Sequence, residues 1–234
     1  FDRSDFGVKK EIIDVQYMAA LNPTAGSFNV SDRLQRHFSS FSINMPSESE
    51  ANSVYLQIVS GHLQDFSVNV CDMANNVISA TIDLQIAVRD KFRPSTTKFM
   101  YTWNMRDLSS IARGLCYATS ENFTTQLEFS RLWMHEVRRT FSDRMVNQAE
   151  IDRFETVAES YAKKYFSDFC NIEDDMMDEK KVPLIFTNFI RAPTGSLPYM
   201  NVPSMDKLSK TLQHQLEEYN ESNEEEEINT VDLS

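Results

Sequence analysis

The stretch "TTQLEFSRLWMHEVRRTF", residues 124–141, decides the reading of the chain, because it carries its own start signal and then a single apolar stripe. Thr125 and Glu128 stand at capping-box spacing, where each side chain can take a backbone N–H that a helix entrance leaves unpaired. Phe129, Leu132, Trp133, Val137 and Phe141 follow at intervals of three and four, which places them on one helical face. A strand would alternate by two, and this stretch does not. The spacing predicts a helix with a buried face.

Its neighbours repeat the pattern. "PSESEANSVYLQIVSGHL" (46–63) opens with a Ser47–Glu50 box and puts Val54, Ile58 and Val59 on its predicted inner face. In "CDMANNVISATIDLQIAVRDKF" (71–92) the stripe is Met73, Val77, Ala80, Leu84 and Val88, ending before Pro94. "NMRDLSSIARGLCYA" (104–118) aligns Leu108, Ile111 and Leu115. "NQAEIDRFETVAESYAKKYFSDFC" (147–170) has an Asn147–Glu150 box and a face of Ile151, Phe154, Ala158, Tyr161, Tyr165 and Phe169. Successive amphipathic helices of this kind bury their stripes against one another, so an α-helical bundle is expected.

The two flanks differ from the bundle. "IIDVQYMAAL" (12–21) reads as a strand buried on both faces, and "SFSINMP" (40–46) as a half-buried strand stopped by Pro46. "VPLIFTNFI" and "RAPTGSLPYMNVPS" (182–204) read as a segment crossing the bundle in extended form, with its prolines limiting helix. A last amphipathic helix runs through Met205, Leu208, Leu212, Leu216 and Tyr219, and "INTVDLS" could begin a strand. The expected fold is mainly α: a two-strand α/β edge over 1–46, an all-α bundle over 47–170, and an acidic, proline-rich connector with a final helix over 171–234.

Charge narrows the partners. The net charge of −12 is carried by residues 172–179 and 217–227, which hold five and seven acids and no base. Outside them acids and bases balance, and no basic stripe is available for nucleic acid or an anionic membrane. No apolar run reaches the roughly 18 residues of a membrane span, and "FDRSDFGVKKEI" lacks the pattern of a signal peptide, so a soluble, intracellular protein is expected. Cys71, Cys116 and Cys170 are too far apart and too few for a disulfide framework, and read as reduced, buried thiols. Sequons begin at Asn29, Asn122 and Asn220, but without a secretory signal they are not expected to carry glycans.

Catalytic signatures are missing. The glycines at 7, 26, 61, 114 and 195 form neither G-x-x-x-x-G-K nor G-x-G-x-x-G, so no phosphate cradle is formed. His135-Glu136 begins an H-E-x-x-H motif, but Arg139 occupies the second histidine position and no metal site is expected. Nothing resembles G-x-S-x-G or a Cys/His pair.

A resemblance enters through particular stretches. "VQYMAALNPTAGSFNVSDRLQRHFSSFSINMP" (15–46), "FMYTWNMRDLSSIARGL" (99–115) and "RLWMHEVRRTFSDRM" (131–145) resemble the third AAA+ module of an axonemal dynein heavy chain. "PLIFTNFIR" (183–191) and "YMNVPSMDKLSKTLQHQLEEYNE" (199–221) are similar to the segment joining that module to the fourth. The resemblance spans essentially the whole chain. It implies a fragment of a very large motor, with the module's Walker A and Walker B strands before Phe1 and the next P-loop after Ser234.

It also implies roles. Asn22 is similar to sensor 1, whose polar side chain sits between the γ-phosphate and the attacking water; the residues alone also allow an amide capping its turn before Pro23. Arg36 resembles the arginine finger that reaches a neighbour's pocket, with Arg33 the competitor, because a guanidinium offers phosphate a fixed charge and a planar fork. Where the family has Asn-Pro before the first of these arginines, this chain has Ser31-Asp32, and Asp32 could pair with Arg36 or bend the loop differently. Arg106 resembles sensor 2, the lid arginine that closes on phosphate; a surface arginine beside Asp107 is the alternative. In the intact module the implied cofactor is ATP or ADP with Mg, and none is expected to bind the fragment tightly.

The implied partners are neighbouring AAA+ modules of the same heavy chain, with dynein intermediate and light chains and microtubules engaged through other regions. The implied function is nucleotide sensing and conformational relay in ATP-driven, minus-end-directed motility, located in the cytoplasmic cytoskeleton and the axoneme of cilia and flagella. The competing reading is a free-standing helical interaction module with an acidic tail.

Overall fold

The computed structural model describes residues 4, 6–8, 11, 13–21, 30–169, 183–189 and 198–222. The chain divides into two compact units, Phe1–Met45 and Pro46–Ser234.

In the first unit the described residues form one short helix, α1 (Asp32–Gln35), whose N-cap Ser31 makes no side-chain cap bond. Neither predicted strand forms among the described residues: 13–21 and 39–46 have no regular structure. Every residue of 13–21 is exposed, and Phe41 and Ile43 are 86% and 93% exposed. The physical reason is that a strand's backbone bonds must come from a neighbouring strand, and none of the described residues supplies one.

The second unit is a helical bundle: α2 (Glu48–His62), α3 (Val68–Cys71), α4 (Ala74–Lys91), α5 (Met105–Leu115), α6 (Gln126–Phe141) and α7 (Gln148–Phe166), with 3-10 turns at Leu63–Asp65 and Ser142–Arg144. Capping boxes form at Ser47–Glu50 and Thr125–Glu128, where the Glu50 and Glu128 carboxylates accept the cap N–H at 2.8 and 3.1 Å. The predicted Asn147–Glu150 box does not form. Glu150 is held instead by Lys98 and by the Tyr101 hydroxyl, which donates at 2.6 Å. These partners keep its carboxyl below the ordinary glutamate range.

The apolar stripes meet as expected on α4, α5 and α6. Met73, Val77, Ala80, Leu84, Val88, Leu108, Ile111, Leu115, Phe129, Leu132, Trp133, Val137 and Phe141 all lie in one core. Trp133 is fully buried: its Nε1–H donates to Thr81 Oγ1 of α4 at 2.8 Å and its ring meets Phe166 of α7 edge-on at 5.0 Å. On α2 the predicted face holds at Val59 and fails at Val54 and Ile58. Ala51, Tyr55 and Val59 are buried while Val54 and Ile58 are half or more exposed. The Tyr55 hydroxyl decides this rotation, donating to Met105 O at 3.1 Å and meeting Ser109 Oγ at 2.8 Å on α5.

The crossing segment forms a two-stranded antiparallel pair, β1 (Phe186–Thr187) and β2 (Met200–Asn201), in register Phe186–Asn201 and Thr187–Met200. Helix α8 (Met205–Ser222) follows. Cys71 and Cys116 are free thiols but half-buried, where fully buried thiols were expected, and Cys71 Sγ donates to Leu63 O at 2.9 Å. Cys170, the acidic run 172–179 and "INTVDLS" lie outside the described residues. No helix among the described residues is long and apolar enough to cross a membrane.

Candidate functional site

The entrance of α5 is braced by a capping box and by an arginine from the turn after α6. Trp103, just before it, is buried, and its Nε1–H donates to Phe92 O at 2.6 Å. Asn104 caps the helix: its Oδ1 accepts Arg106 N–H at 2.8 Å, while its own N–H donates to Asp107 Oδ2 at 2.8 Å. Asp107 is buried and its other oxygen takes Arg144 Nη2 at 2.5 Å. Arg144 also donates from Nε and Nη2 to Thr140 O at 3.0 and 2.8 Å, and its guanidinium lies 4.7 Å from the centre of the Trp103 ring.

That network leaves Arg106 apart. It is exposed in the first turn of α5, and its guanidinium makes no ion pair or hydrogen bond among the described residues. Asp107, the neighbour that could have neutralised it, is committed to Arg144. A cation in the first turn sits against the positive end of the helix dipole, so it gains when an anion arrives. The entrance can therefore present a fixed positive charge on a rigid mount. Arg106's backbone N–H is used by the cap, so any anion would meet the guanidinium itself.

Of the other expected site residues, Asn22 lies outside the described residues. Arg33 and Arg36 are exposed one helical turn apart, Arg33 in α1 and Arg36 at its C-cap. Arg36 Nε donates to His37 Nε2 at 3.3 Å, and no ion pair joins Asp32 to Arg36. Both arginines belong to the first unit and Arg106 to the second.

The sequence reading missed a buried polar cluster on α6. Glu136 is fully buried. One carboxylate oxygen accepts Arg139 Nε and Nη2 at 3.2 and 2.7 Å, and the other accepts the Tyr199 hydroxyl at 2.6 Å. His135 Nε2 lies 3.1 Å from the same hydroxyl. Burial, then the hydrogen bond to Glu136, pushes the Tyr199 phenol far above its ordinary value, and burial holds His135 below its own. Read as half of a zinc motif, His135-Glu136 leads nowhere; the available signal was a glutamate on the buried face, three and four residues from Trp133 and Leu132. The Asn104–Asp107 box was also legible, as N-x-x-D before an apolar stripe.

Residues 77–181 match the AAA+ lid domain family, and residues 1–46 match the P-loop containing dynein motor region. A capped helical bundle with this match is a helical lid of the AAA+ class. Among relatives, the chain is 41% identical over 92% of its length to the dynein beta chain of the flagellar outer arm from Chlamydomonas reinhardtii. It is 38% identical over 95% to the ciliary dynein beta chain of Tripneustes gratilla, and 35% over 92% to dynein axonemal heavy chain 17 of Homo sapiens. The chain belongs to the axonemal dynein heavy-chain family and spans about 5% of the length of these relatives.

Proposed function

We propose that this chain is the nucleotide-responsive lid of a dynein motor module. The observation that carries the reading is the unpaired Arg106 guanidinium at the braced entrance of α5, beside an aspartate already neutralised by Arg144. In the motor, Arg106 closes on phosphate bound in its own module. Asn22 stands at the γ-phosphate, where an amide can orient the attacking water. Arg36, or Arg33 in its place, reaches into a neighbouring module's pocket.

The residues present fit part of a nucleotide site and not all of it. A free guanidinium suits phosphate oxygens, whereas the glycines form no phosphate cradle. ATP with Mg²⁺ supplies the phosphoryl-transfer chemistry when bound, and the task of this chain is to sense and orient. Movement of the bundle as a body then passes occupancy to adjacent AAA+ modules. The product is microtubule motility in cilia and flagella, the setting named in its relatives. Their alignment along nearly the whole chain favours this reading over a free-standing interaction module.

Replacing Arg106 by Ala in the heavy chain should weaken ATP binding at this module about tenfold or more, the effect of losing a charge-assisted hydrogen bond. Arg106→Lys should recover part of it, since Lys keeps the charge and loses the fork. Unchanged affinity in Arg106→Ala overturns the reading.

A further inference from the structure

The segment around β1 and β2 has two faces, and they serve different bodies. Leu184 and Phe186 are buried in the bundle core, and Tyr199 packs against it. Ile185, Met200 and Val202 turn the other way and form a separate small core with Leu208 and Leu212 of α8. This is the period-two alternation of extended chain, and it makes the segment a strap between bundle and helix. Val202 N–H donates to Ile185 O at 2.8 Å, which ties the strap's two strands together. Among the described residues, α8 buries its apolar side on the strap and not in the bundle core.

The two strands are fastened differently. β1 is held by apolar burial, with Phe186 stacked on Phe123 at 5.8 Å, and by Arg131 of α6, whose Nη2 donates to the Pro183 carbonyl at 3.4 Å. β2 is held through Tyr199, whose hydroxyl donates to the fully buried Glu136 and whose ring meets Tyr117 at 5.6 Å. Glu136 is itself seated on Gly114 of α5, where a Cβ would overlap the carboxylate. The seat has no slack, so a shift of α5 against α6 must move Glu136. Asn201 Oδ1, in β2, is buried without a hydrogen-bond partner among the described residues, which costs free energy in this arrangement.

We propose that the Tyr199–Glu136 hydrogen bond is a latch that fastens the strap, and α8 with it, to the bundle. A buried carboxylate is a poor choice for packing alone, since an apolar side chain of the same shape would usually serve stability as well or better. It does provide a directional bond that forms and breaks as a unit. Arg139 holds the other oxygen, so opening the latch leaves Glu136 paired and the bundle intact. With the latch closed α8 follows the bundle as one body; with it open α8 is tethered by the apolar contacts of β1 and the Tyr199 ring and by the Arg131–Pro183 bond. The latch stands whether or not Arg106 senses nucleotide.

The test is Tyr199→Phe in the full chain, read by hydrogen–deuterium exchange. Tyr199→Phe removes the bond to Glu136 and the 3.1 Å contact with His135 together, so exchange across 199–212 should rise about tenfold or more, while 105–115 and 129–141 keep their rates. Unchanged exchange in 199–212 overturns the latch. So does an equal rise in α5 and α6, or loss of the helical fold in circular dichroism, because each would make Tyr199 a brace of the bundle.

Discussion

Residues 13–21 and residues 129–141 are both rich in large apolar side chains, yet Met18 is 93% exposed and Trp133 is fully buried. Hydrophobicity does not separate them. A helix closes its backbone bonds within its own turns and needs only a face to bury, whereas a strand needs another strand before it can bury anything. The helices α2–α7 pack on one another, with Leu184 and Phe186 of the strap completing the same core. Residues 13–21 and 39–45 do not find theirs among the described residues.

The comparison can be broken most sharply by truncating one side chain in each region. Trp133→Ala should cost about 4 kcal/mol, from lost burial, the cavity and the abandoned Thr81 hydroxyl, while Ile43→Ala should stay within about 0.5 kcal/mol. Chemical denaturation followed by tryptophan-independent helix signal measures both. Equal effects would mean that the first unit is as well packed as the second.

A smaller effect tests how tight the bundle is. Gly114→Ala should destabilise by about 2 kcal/mol, because the new methyl meets Glu136, whose carboxylate is held from two sides. Gly61, in α2, has open space where its Cβ would be, so Gly61→Ala should stabilise by about 0.5–1 kcal/mol. Thermal melts of the two variants should move in opposite directions.

The smallest effect is a pH dependence. Burial lowers the His135 pKa, with the charge of Glu136 opposing and that of Arg139 assisting. The unfolded chain therefore takes a proton that the folded chain refuses. His135's contribution is complete above about pH 6.5 and is lost as pH falls from there through the lowered folded pKa. Asp143, raised by burial, acts in the opposite sense at lower pH. The groups facing His135 are Glu136, Arg139 and Asp143 from α6 and the turn after it, and Tyr199 from the strap. Urea midpoints at pH 7.5 and 5.5 should differ in the native chain and converge in His135→Gln.

Local signals were legible wherever the chain answers them locally. The Ser47 and Thr125 boxes and the stripes of α4, α5 and α6 involve residues within a turn or two of one another. Errors arose where a distant side chain won the competition. Glu150 left its predicted box for Lys98 and Tyr101, and Tyr55 rotated α2 by reaching Met105 and Ser109. The same distinction runs through the site. Arg106 stood out in the sequence, but its freedom depends on Arg144 pairing with Asp107 across 37 residues, which no spacing rule connects. The Glu136–Tyr199 bond spans 63 residues and was invisible for the same reason.

Helix α5 allows the most direct test, because it carries an exposed arginine at each end: Arg106 in the first turn and Arg113 in the last. Arg113 sits where the helix dipole already favours a cation, and Arg106 where only an arriving anion does. ATP affinity of this module should therefore be measured in heavy chains bearing Arg106→Ala or Arg113→Ala. A loss of about tenfold confined to Arg106→Ala is the predicted result. Equal losses in both variants, or none in either, would contradict the account.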